Sequence, residues 1–300
     1  MKRIPILIDT DPGVDDFFCL ALAIANRDKF DIRAVTTIGG NNWTEVTTRN
    51  ALDILDWLGC DSPVAAGAKS YLREPFAPPV AKFHGENGLG NLEIPHTDRK
   101  AVDLVGCEMI YKAAKEAGGE LIVVTVGPET NLALALMNHP DLPSLIKKIV
   151  VMGGSTSFGN ITPHAEANIA HDRFAADVVF NSGVPIDMIG LNLTHTCCIS
   201  ADEFEALATE TRPEVKAFMK GLVEFRNGEP MHDAIALATL VDESITEWQD
   251  CRISIELADA EKLGKTHILP PEAGIKHRVA VKMDLNSYRK IFADMANYYK

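Results

Sequence analysis

The stretch IPILIDTDPGVDD, residues 4–16, decides the fold. Residues 4–8 form an unbroken apolar run of strand length, which gives way to acids, a Pro-Gly pair and a second apolar run over 17–25. A strand without polar alternation is buried on both faces, and one that passes directly into a helix opens a βα unit. The alternation repeats outward from there. Residues 32–38 read as a strand ending at Gly39-Gly40, and 45–58 carry apolar residues at helical spacing up to Gly59. Helices are expected over 104–117, 130–137 and 173–181, with strands over 121–126, 149–152 and 185–191. Residues 201–240 read as helical with breaks at Pro213 and 228–230. Late strands at 251–257 and 278–283 and a terminal helix close the chain. The fold class is therefore α/β: a single domain over 1–300, with a mainly parallel sheet flanked by helices. The loop over 70–97 holds HGENGLG at 84–90 and is long enough to expect a functional role.

Composition narrows the function. A net charge of −13 argues against a nucleic-acid polymer as partner, because phosphate binding needs clustered Lys and Arg. The N-terminal segment reads as a strand rather than the apolar core of a signal peptide, and no stretch reaches the ~20 apolar residues of a membrane helix. None of the six cysteines forms a Cys-x-x-Cys pair, so buried free thiols and a cytoplasmic setting are expected. His195, beside Cys197 and Cys198 in an apolar stretch, is expected to pack in the core.

Four aspartates fall within DTDPGVDD, residues 9–16. Pro12 biases Asp11 toward extended backbone, and Gly13 permits a turn that folds Asp15 and Asp16 back toward it. Oxygen ligands on two sides of such a turn suit a hard cation. Capping of the following helix would explain one acid, or two, and leave the others uncompensated.

DTDPGVDD also resembles the signature of the inosine-uridine preferring nucleoside hydrolase family. TTIGGN at 36–41, VGPETNLA at 126–133, MGG at 152–154, GNITPHAEANIAHD at 159–172 and HDAIALA at 232–238 follow in the family's order. The resemblance implies a Rossmann-like fold, one Ca²⁺ per subunit, and homodimers or homotetramers. It implies Asp11, Asp16, Asp233 and the carbonyl of Val126 as metal ligands, with Asp11 doubling as general base. His232 would protonate the leaving base. Asp15, Asn41, Asn160, Glu166 and Asn168 would bind the nucleoside, joined by Met152 and by His84 from the long loop.

Such chemistry needs these residue types. Cleaving a ribosyl C–N bond builds positive charge on the sugar, which carboxylates oppose. Direct attack by water predicts inversion at the anomeric carbon. Two other readings of the motifs exist. A haloacid-dehalogenase-like phosphatase would use Asp9 as nucleophile, and a ribonucleoside-binding protein would hold the ligand without turnover.

Overall fold

The computed structural model describes residues 2–77 and 79–300. The first strand outlasts its apolar run: β1 is Ile4–Thr10, so Asp9 and Thr10 still lie in the sheet. There Asp9 accepts from the Thr36 hydroxyl at 2.5 Å and from Asn131 Nδ2 at 2.8 Å. Side-chain partners thus allow the strand to carry a polar end into the interior. The parallel strands β2 (Phe30–Thr37), β3 (Val64–Ala66), β4 (Leu121–Thr125), β5 (Ile146–Met152) and β6 (Ile186–Ile189) follow. Then come β7 (Thr246–Ile255), β8 (Thr266–Leu269) and β9 (His277–Met283). The nine strands form one sheet in the order β3-β2-β1-β4-β5-β6-β9-β7-β8. β7 runs antiparallel to both its neighbours.

Helices cover both faces. One core cluster gathers the helices Val14–Ala25, Thr44–Trp57, Pro213–Arg226, His232–Val241 and Leu285–Tyr298. The other gathers Gly106–Ala117, Thr130–Asn138 and Arg173–Phe180. A helix apolar all round must be buried all round. In Val14–Ala25, 11 of 12 residues are buried, Asp15 and Asp16 included. It lies against His232–Val241, equally enclosed. Phe17 meets Phe218 at 5.0 Å between ring centroids, and Phe18 stacks on Phe292 at 5.3 Å. Among the described residues no helix is long and apolar enough to cross a membrane.

Expectation and structure part in small places. β3 is only three residues long, and β8 (THIL) is half polar and partly exposed, so neither registers as an apolar run. β5 starts at Ile146, where Lys147 and Lys148 mask its first turn of alternation. The helical stretch resolves into Ala201–Leu207, Pro213–Arg226 and His232–Val241, with Pro213 opening its helix, where the missing N–H costs nothing.

Candidate active site

The chain leaves β1 toward β2 and β3 on one side and resumes at β4, β5 and β6 on the other. The order reverses between β1 and β4, and the crevice at their carboxyl ends is where such sheets bind ligands. Asp11 follows β1, Val126 follows β4 and Met152 ends β5. The two buried helices aim their N-termini at the same place, one carrying Asp15 and Asp16, the other His232 and Asp233. Carboxylate oxygens of Asp15, Asp16 and Asp233 lie within 4.8 Å of one another. The partial positive charge of two helix N-termini offsets some of that repulsion.

Asp16, third residue of its helix, reaches back to the N-cap Gly13 as well as joining the cluster. It accepts from the Thr10 hydroxyl, from the Gly13 N–H at 2.8 Å, the Asp11 N–H at 3.2 Å and Asn41 Nδ2 at 3.0 Å. Asp11 sits just behind. Its Oδ2 accepts the Asn41 N–H at 2.7 Å. A Cβ on Gly40 would stand 2.2 Å from Asp11 Oδ2, and one on Gly127 2.7 Å from Oδ1, so two glycines make the slot for this carboxylate. Asp15, Asp16 and Asp233 thus form a tight trio with Asp11 adjoining; all four acids that the resemblance assigned to metal or nucleoside meet here.

Burial pushes Asp16 up to about 6 and raises Asp11 and Asp233 well above the carboxylate range, neighbouring aspartates adding to the effect. Asp11 Oδ1 and Asp15 Oδ1 are buried and meet no donor among the described residues. Orphaned, all-oxygen, crowded anions are the donor set a hard divalent cation fits.

Two walls rise from this floor around a cavity of about 310 Å³. On one, His84 Nδ1 accepts the Val14 N–H at 3.1 Å and lies 3.8 Å from Asp15. Gly13 makes room for it, since a Cβ there would fall 2.3 Å from His84 Nδ1. The HGENGLG turn is tied down by Asn50, whose Nδ2 donates to the carbonyls of Pro12 and Asn87. His232 Nδ1 pairs with the Thr194 hydroxyl at 2.7 Å. Burial lowers His84 to about 4 and His232 to about 3, so both are neutral near pH 7. On the other wall, Asn168 Nδ2 donates to the carbonyls of Val126 and Met152, each at 3.0 Å. Glu166 caps the short helix Ala167–His171, accepting from the N–H groups of Asn168, Ile169 and Gly154. Asn160 Oδ1 takes the Ala167 N–H at 2.9 Å.

This arrangement has known counterparts. The sequence profile of the inosine-uridine preferring nucleoside hydrolases matches residues 6–290. The chain belongs to that family. The non-specific ribonucleoside hydrolase RihC of Klebsiella pneumoniae is 33% identical over 304 residues, spanning 98% of each chain. The pyrimidine-specific ribonucleoside hydrolase RihA of Escherichia coli is 33% identical over 315 residues, 99% of each. Among solved structures, a plant nucleoside hydrolase superposes with a TM-score of 0.92 at 28% identity, over 99% of both chains. A purine-preferring ribonucleoside hydrolase from Gardnerella vaginalis gives 0.89 at 29%, over 98% of this chain and 99% of the other. The protein is accordingly a hydrolase of N-glycosyl compounds.

As a nucleoside hydrolase the molecule has no use for Asp9 as a nucleophile. That side chain is fully buried outside the lining of the cavity, and burial raises it to about 7. His195 corrects the expectation of core packing: it is exposed and lines the cavity, 5.5 Å from the His232 ring and edge-on to Phe158 at 5.2 Å. Its apolar sequence neighbours misled, because Leu193 and Cys197 turn inward while the short helix Leu191–Thr194 releases His195 outward. Arg226, in the helical region before His232 from which relatives draw base-contacting side chains, also lines the cavity of this nucleoside hydrolase, as do Glu229, Ala167 and His171, which sequence reasoning had not assigned to it.

Glu129, close to Glu166, is fully buried, and neither carboxyl oxygen meets a donor among the described residues. Burial raises it well above the usual range, with Glu166 adding to the shift. Replacing an unpartnered buried acid by an apolar residue of similar size removes a desolvation cost of about 1–3 kcal/mol. Glu129→Leu is expected to raise the urea midpoint at pH 7.5 accordingly. A lowered midpoint would show that this carboxyl stabilises the fold.

Proposed function

We propose that this protein hydrolyses the N-glycosidic bond of ribonucleosides carrying purine and/or pyrimidine bases, in a Ca²⁺-dependent reaction, as one 1–300 unit. The observation that carries the reading is the convergence of Asp15, Asp16 and Asp233 within 4.8 Å at the floor of a cavity walled by neutral histidines and polar amides. When bound among Asp11, Asp15, Asp16, Asp233 and the Val126 carbonyl, Ca²⁺ would polarise a water and lower its pKa. Asp11, whose Oδ1 is taken by no donor among the described residues, accepts the water's proton. The C1′–O bond forms from water as the C1′–N bond breaks, and the departing nitrogen takes a proton from His232, which is loaded from solvent as charge develops on the leaving base. The carboxylate floor opposes positive charge growing on the ribose ring. Asn168, with its amide hydrogens engaged by carbonyls, keeps Oδ1 as an acceptor for a sugar hydroxyl; Asn160 and Glu166 border the same wall. Asn41 braces Asp11 and Asp16, and His84 and Met152 complete the enclosure.

Ribose release measured over a panel of ribonucleosides tests this reading. Turnover of at least one common ribonucleoside is expected, and tight binding without ribose release would favour the non-catalytic alternative. His232 yields a separate expectation. With Nδ1 on Thr194, Nε2 is left for a ligand. His232→Ala should slow natural nucleosides by ~10²-fold or more and p-nitrophenyl riboside far less, because nitrophenolate leaves without protonation. Equal losses on both would remove His232 from the acid role. A homodimeric or homotetrameric state and a cytoplasmic location belong to the same proposal; six unpaired cysteines accord with a reducing compartment.

A further inference from the structure

The ribonucleoside reading fixes how a sugar stands in the cavity. With its 2′,3′ edge on the carboxylate floor, a furanose sends its base and its C5′ to opposite sides, since C1′ and C4′ flank the ring oxygen. His84, His232 and Arg226 gather around Asp15 on one side and mark the base end. C5′ then faces the wall carrying Glu166.

That wall is roomy. In the helix Ala167–His171 the first and last residues are four apart, so they share a face, and both line the cavity together with Ile161. Ala167 offers only a methyl group and is partly exposed to the cavity; Ile161 is 48% exposed. The His171 ring is fixed by stacking on Tyr71, with centroids 5.8 Å apart and planes 13° from parallel. Its buried Nδ1 meets no protein partner. Burial lowers His171 to about 4, so it brings no positive charge at neutral pH. Arg226, the cavity's one Arg or Lys among the described residues, lies at the base end. The charged group that lines the C5′ end is the Glu166 carboxylate.

We propose that this site accepts ribonucleosides bearing a neutral substituent at C5′, such as 5′-alkylthio-5′-deoxyribonucleosides, seated against Ile161, Ala167 and His171. The apolar methyl and isoleucine receive the substituent.

Release of free base from uridine and 5′-deoxy-5′-(methylthio)uridine, with the inosine series in parallel, tests the proposal. The methylthio substrates should retain kcat/KM within roughly tenfold of the parents. Ala167→Phe, with Ala167→Leu as a milder filling should the first variant fold poorly, should lower kcat/KM for the methylthio substrates at least ~30-fold more than for the parents. Methylthio substrates cleaved ~10²-fold more slowly than the parents by the unsubstituted protein, or equal losses on both series in the filled variants, would overturn it. Each of those results leaves turnover of the parents by the unsubstituted protein intact, and so differs from its failure on every ribonucleoside, which would overturn the underlying function too.

Discussion

Treatment with excess EGTA should abolish nucleoside hydrolysis and lower the melting temperature, and added Ca²⁺ should restore both. The reason lies in the acids that close-packed helices force together. Asp16, raised to about 6 from a usual 3.8, carries about 3 kcal/mol of cost when ionised in the folded chain without a counter-ion. Asp11 and Asp233 are raised further in the same direction. A folded pKa above the unfolded one means stability that is complete below the unfolded value and lost as pH rises through the folded value. The metal-free protein should therefore melt at falling temperature between about pH 4 and pH 7, the window set by Asp16, Glu166 and Asp9 at about 6, 6 and 7. A cation bound only by the folded state adds about 2.7 kcal/mol at a hundredfold excess over Kd. At about 2 °C per kcal/mol for a chain of this size, that is a rise of ~5 °C at pH 7.5, shrinking toward pH 5 as the carboxyls protonate. Full activity in EGTA would remove the metal from the mechanism. A melting temperature indifferent to Ca²⁺ would separate the acid cluster from metal binding.

The order of elements was legible because each buried strand and helix announces itself by an uninterrupted or helically spaced apolar run. Strand 4–8 and helix 17–25 were read nearly to their ends; the missing residues, Asp9, Thr10 and Val14 to Asp16, belong to the elements only because tertiary partners satisfy or enclose them. Sequence spacing brought Asp11, Asp15 and Asp16 to one turn, and the family motifs added Asp233. What no spacing could reveal is which carboxylates touch. That depends on two helices separated by some 200 residues lying side by side, and on Gly40 and Gly127 opening a slot that draws Asp11 back. His195 failed for a related reason: a short helix after β6 turns one residue of an apolar stretch outward, an event without a periodic signature. Ala167 and His171 stayed silent because a small residue signals space only when its surroundings are known.

Removing the 2′-hydroxyl of the substrate should cost ~10³-fold or more in kcat/KM, the second of the two largest effects expected. A site built to bond a hydroxyl rejects the analogue lacking it far more strongly than an apolar pocket rejects a missing methylene, since its own buried polar groups are left unpaired. Asp15 is 5% exposed and Asp233 3%, and Asp15 Oδ1 finds no donor among the described residues. These oxygens face a ligand whose diol must replace the water they would otherwise keep. A threshold of three decades corresponds to about 4 kcal/mol, near the upper end of what one charged hydrogen bond and its desolvation supply. The comparison is uridine against 2′-deoxyuridine, and inosine against 2′-deoxyinosine, by base release at saturating Ca²⁺. The loss should fall largely on kcat, because the carboxylates that hold the diol also face the ring as positive charge develops on it. A loss confined to KM would make the contact one of ground-state binding alone. Equal rates for ribo- and deoxyribonucleosides would mean that the sugar does not stand on the aspartate floor.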